Sequence, residues 1–101
     1  MRKTLHDLVA DKLERDRSLL CVPLENIDRW LAQGHTAPHR LEQWRQILLR
    51  AQASEVGFQN LLQLLRERSE AAQRLKDFAP FAGTLTAQER RSAQPTCAYH
   101  F

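Results

Sequence analysis

Cysteine is scarce: Cys21 and Cys97 are the only two in 101 residues, too few for the disulfide framework that staples small secreted domains. Glycine occurs three times, and nowhere in the spacing of a phosphate-binding loop or a nucleophile elbow. The histidines include no glutamate-flanked pair of the metalloprotease kind. No apolar run approaches the ~18 residues of a membrane-spanning helix, and the amino terminus has no apolar core of a signal peptide. A cytoplasmic protein without membrane contact is therefore expected. Strand-like alternation is missing along the whole chain, as are internal repeats and low-complexity blocks.

What is present is helical periodicity. Hydrophobic residues make up 43% and charged residues 27% of the chain, the composition of an ordinary folded domain. The net charge of +3 is interleaved with acidic residues and gathers in no basic arm. Thr4 can cap a first helix with Leu5, Leu8, Val9 and Leu13 on one face, ending near residues 16–18. Cys21 lies in the apolar run Leu19, Leu20, Cys21, Val22, where a reduced thiol behaves as a small buried hydrophobe. Pro23 suits the first turn of a second helix, and Gly34 supplies its stop. Pro38 restarts a third helix carrying Leu41, Trp44, Ile47, Leu48 and Ala51 on one face.

Ser54 can cap a fourth helix with Phe58, Leu61, Leu62 and Leu65 as its stripe, although Gly57 costs about 1 kcal/mol there relative to alanine. Ser69 can cap a fifth; whether residues 55–78 form one helix or two is left open. Pro80 and Gly83 interrupt regular structure, and Thr86 to Glu89 spells a capping box for a short last helix. The fold class expected is an all-α, single-domain bundle of five to six short helices over residues 1–94, with both tryptophans near its centre and a flexible tail at 95–101.

Candidates for chemistry are few. The carboxylates fall beside cations on polar helix faces, as with Asp11 and Arg15 or Glu25 and Arg29, the pattern of solvated surface pairs. His35 and His39, with Cys97, His100 and Cys21, have superficial metal-ligand spacing, but Gly34 and Pro38 put the histidines in a turn and structural zinc favours more thiolates. No catalytic residue, cofactor or metal is assigned, and the expectation is a protein that is not an enzyme.

Two functional classes remain. The order Ile27, Trp30, Gly34, Pro38, Leu41, Trp44 and Leu48 resembles the second half of repressor-type helix-turn-helix domains. That resemblance implies DNA binding, with Asn26 and Arg29 at base edges and Arg40 and Arg45 on phosphates. Glu25 and Asp28 on the same helix would oppose the phosphate backbone, which makes this the alternative. The primary expectation is a non-enzymatic protein–protein interaction or regulatory module using Phe78, Pro80, Phe81 and Leu85. These residues are unusually apolar for a connection, and they serve either as a docking element or as core folded across the bundle. Homodimerisation is a variant, with Phe58, Leu62, Leu64 and Leu65 offering a spare apolar stripe.

Overall fold

In the computed structural model, which describes residues 4–34, 38–77 and 79–92, six helices follow one another with no strand among the described residues: α1 (Leu5–Arg15), α2 (Cys21–Ala32), α3 (Pro38–Ala53), α4 (Glu55–Arg66), α5 (Glu70–Lys76) and α6 (Ala87–Ser92). A 3-10 turn over Arg17–Leu20 leads directly into α2. The chain is all-α.

Each boundary has a local cause. At α1 the Thr4 hydroxyl accepts from the Asp7 amide while the Asp7 carboxylate accepts from the Thr4 amide, a reciprocal capping box. Gly34 closes α2 in the left-handed region, at φ 80°. Ser54 is a single extended residue between α3 and α4, and its hydroxyl accepts from the Gly57 amide. Residues 55–78 do not form one helix: Glu67 and Ser69 are extended, and Ser69 caps α5. Thr86 and Glu89 form the capping box of α6, with bonds of 2.7 and 3.1 Å.

The core joins Val9, Ala10 and Leu13 of α1, Ile27 of α2, Leu41, Trp44 and Leu48 of α3, and Phe58, Leu61, Leu62 and Leu65 of α4. At the α3–α4 corner a Cβ on Gly57 would lie 2.1 Å from the Arg50 carbonyl oxygen, so the helix-weakening glycine is what allows the two backbones to meet. Ion pairs stitch the helices from outside: Arg66 reaches both Asp11 and Glu14 of α1, and Arg45 bridges Asp28 of α2 and Glu42 of its own helix.

Several sequence expectations are corrected. Trp44 is fully buried, but Trp30 is only half-buried, so one tryptophan occupies the centre instead of two. Cys21 is exposed: α2 begins two residues before Pro23 and turns Leu20, Pro23 and Ile27 inward, leaving the thiol outside. On the surface, Arg66 pairs with Asp11 and Arg29 donates to the Asn26 side chain. Glu70 and Arg74 do pair along α5. The tail at 95–101 lies outside the described residues.

Candidate functional site

Residues 79–86 form a strap between α5 and α6, and it is held from the far end of the chain. Asn26, on α2, is 3% exposed. Its side-chain amide donates to the carbonyl oxygens of Pro80 at 2.9 Å and Ala82 at 2.8 Å. Both strap carbonyls are thereby satisfied where no helix ladder can serve them. Arg29 donates to the Asn26 Oδ1, so the amide orientation is fixed by a neighbour one turn along α2. Phe81 is fully buried with its ring edge-on to Trp44, centroids 5.4 Å apart and planes at 89°. The Trp44 indole N–H donates to the Leu75 carbonyl at 3.0 Å. The turn closes on a Thr84 N–H to Phe81 carbonyl bond of 3.0 Å, with Gly83 at φ 85°.

Of the residues considered for docking, Pro80, Phe81 and Leu85 are buried within the fold, the placement of core side chains. Phe78 lies outside the described residues. The spare stripe considered for self-association is used internally as well: Phe58, Leu62 and Leu65 are buried and Leu64 is half-buried.

The residues singled out by the helix-turn-helix resemblance all have partners within the fold. Asn26 is inside, bonded to the strap, because it falls on the α2 stripe with Pro23 and Ile27. Arg45 is held by two carboxylates, and Arg40 donates to Gln43 at 3.1 Å. His39 and Cys21 are exposed, while His35, Cys97 and His100 lie outside the described residues. Among the described residues no group of three or more histidine, cysteine or acidic side chains could hold a metal ion. Nor is any helix among them long and apolar enough to cross a membrane.

A buried polar cluster, unread in the sequence, joins α1 to the α4–α5 junction. Lys76 donates its ammonium to the Leu65 carbonyl at 3.2 Å and the Glu67 carbonyl at 2.6 Å, capping the carboxyl end of α4. Burial lowers its pKa, with Asp7 acting in the opposite direction. Asp7 takes a 2.7 Å bond from Arg68 besides its capping role. His6 is buried beside them; burial first, and the Lys76 charge second, lower its pKa to about 4 against the pull of Asp7. The sequence signal for Lys76 was its helical spacing from Ala72, which places a lysine on an inward stripe.

The open surface has its apolar emphasis at the α3–α4 corner. Leu49 is 43% and Val56 is 71% exposed, and these are the exposed large hydrophobics of the described residues. The α3–α4 junction also carries a shallow groove of about 580 Å³ lined by Leu20, Ala51, Ala53, Arg17 and Glu55 among others. Arg17 and Glu55 engage each other at 3.0 Å, and the Arg17 guanidinium lies 4.0 Å over the Phe58 ring. No family model, curated protein or solved structure matches the chain.

Proposed function

We propose that this chain is a non-enzymatic protein–protein interaction module, resident in the cytoplasm, that docks its partner at the α3–α4 corner. The observation that carries the reading is the solvent exposure of Leu49 on α3 and Val56 on α4, the two helices whose junction also holds the groove lined by Leu20, Ala51 and Ala53. An apolar anchor ringed by polar groups is the usual anatomy of a docking site. The ionisable groups at the groove support binding over catalysis, because Arg17 and Glu55 neutralise each other. The exposed thiol of Cys21 suits a reducing compartment.

The test is affinity capture from a cell extract, with and without nuclease treatment, using the unaltered chain and a Leu49→Glu, Val56→Glu double variant. Both substitutions lie at exposed positions and leave the melting temperature within a few degrees, since surface changes away from buried features rarely exceed about 0.5 kcal/mol each. The expected outcome is a set of proteins retained by the unaltered chain and lost by the variant. Identical capture by both chains would remove the corner as the docking site, and capture abolished by nuclease alone would favour the helix-turn-helix alternative.

A further inference from the structure

One buried carboxylate serves three basic side chains where α1 meets the α4–α5 junction. Asp7 of α1 takes a 2.7 Å bond from Arg68 and also accepts from the Thr4 amide of its own helix cap. Lys76 of α5 is 5% exposed, and its ammonium is donated to the Leu65 and Glu67 carbonyls. His6 of α1, 6% exposed, is the third basic group. Among the described residues, the charges acting on its imidazole come from Asp7 on α1 and Lys76 on α5, and those acting on Lys76 come from Asp7, Arg68 and Glu67. We propose that His6, Asp7, Arg68 and Lys76 form a proton-driven latch, in which protonation of His6 releases α5 from α1 while α1, α3 and α4 stay packed.

A proton on His6 sets a third positive charge beside Lys76 and Arg68 with one carboxylate to balance them, and a buried charge without its own counter-charge is costly. Admitting water removes that cost, and the element that yields is the one with the least apolar anchorage. α1 buries Val9, Ala10 and Leu13, and α4 buries Phe58, Leu61, Leu62 and Leu65. α5 buries only Ala72 and Lys76, and its seven residues are too few to hold a helix without support. Outward movement of Lys76 hands the Leu65 and Glu67 carbonyls to water at an exposed junction. It also takes the Leu75 carbonyl from the fully buried Trp44 indole, which gives the release an optical signature. The imidazole pKa is about 4 when closed against 6.5 in water, so the closed form is fully favoured above pH 6.5 and is lost as pH falls towards 4. With tenfold per pKa unit, the opening constant gains up to about 300-fold. The latch uses neither Leu49 nor Val56, so it stands apart from the docking corner.

Residue-resolved amide exchange at pH 7 and pH 4.5, corrected for the intrinsic pH dependence of the exchange chemistry, separates this release from global unfolding. The Gln73 amide, bonded to the Ser69 carbonyl, and the Asp77 amide, bonded to that of Gln73, report α5. Their opening constants are expected to rise about fiftyfold between the two pH values, from the imidazole shift alone, and to stay well above those of Leu48 and Leu61 in α3 and α4. In His6→Leu, and in His6→Gln, which keeps a polar side chain but cannot titrate, the rise shrinks to the few-fold left by carboxylates. Emission of Trp44 in a Trp30→Phe background shifts to longer wavelength over the same interval, and does so less in either His6 variant. Corrected α5 opening constants that are equal at the two pH values overturn the proposal. So do α5 amides that open only together with Leu48 and Leu61, or an acid response undiminished in both His6 variants.

Discussion

A single imidazole gives the protein a built-in acid dependence. His6 is buried at the first turn of α1, and its pKa stands at about 4 against an ordinary 6.5, chiefly through burial and secondly through Lys76. The folded state therefore holds it neutral while the unfolded chain takes up a proton below pH 6.5. Stability from this group is complete above that value and is lost as pH falls from 6.5 towards 4, by up to about 3 kcal/mol. Urea unfolding at pH 7 and pH 4.5 checks it: the unaltered chain loses more of its midpoint over that interval than His6→Leu, whose remaining slope comes from carboxylates. Equal slopes in the two chains would mean that His6 is accessible to protons when folded. Neither His6 nor the inward-facing Asn26 was legible in the sequence as core. A polar residue on an apolar stripe can face either way, and what turned Asn26 inward was a pair of carbonyls more than fifty positions later.

At the scale of elements, the residues that cap helices were readable because their chemistry is local. Thr4, Ser54, Ser69 and Thr86 each bond an amide three residues on, which requires no knowledge of the rest of the fold. The break between α4 and α5 was not decidable in this way: Ser69 could cap a helix or ride in one, and the Lys76 ammonium that satisfies Leu65 and Glu67 comes from α5 itself. Gly57 illustrates the same division. Helix propensity alone says that alanine should improve α4 by about 1 kcal/mol. The corner says otherwise, because the added carbon would sit 2.1 Å from the Arg50 carbonyl oxygen and only backbone movement can relieve that contact. Gly57→Ala is expected to destabilise the protein by about 2 kcal/mol or more, lowering the thermal midpoint with helical content retained at low temperature. A rise in the midpoint would show that the α3–α4 approach has slack.

Across the whole molecule the stabilising contacts are unevenly distributed, and that unevenness orders how it opens. Leu13, Leu41, Trp44, Leu48, Phe58, Leu61 and Leu65 bring α1, α3 and α4 into one cluster, and Arg66 and Arg68 tie α4 and the segment after it back to α1. Strap and α6 attach to this body through Asn26, Phe81, Leu85 and the Lys12–Glu89 pair. Local opening follows the regions with the fewest buried contacts, so amide hydrogen exchange should release α6 and the Thr84 amide well before the middle turns of α3 and α4. Thr84→Val tests whether its hydroxyl, buried and without a hydrogen-bond partner, sets that threshold. Replacing a buried, unbonded hydroxyl by a methyl of the same shape holds the strap down by about 1 kcal/mol, which slows exchange at residue 84 about fivefold. The innermost amides of α3 and α4 report global unfolding, and they gain the same protection only if the strap must lift before the core can open. Slowing confined to residues 79–92 would instead make strap and α6 a separate cooperative unit, opening while α1, α3 and α4 stay folded.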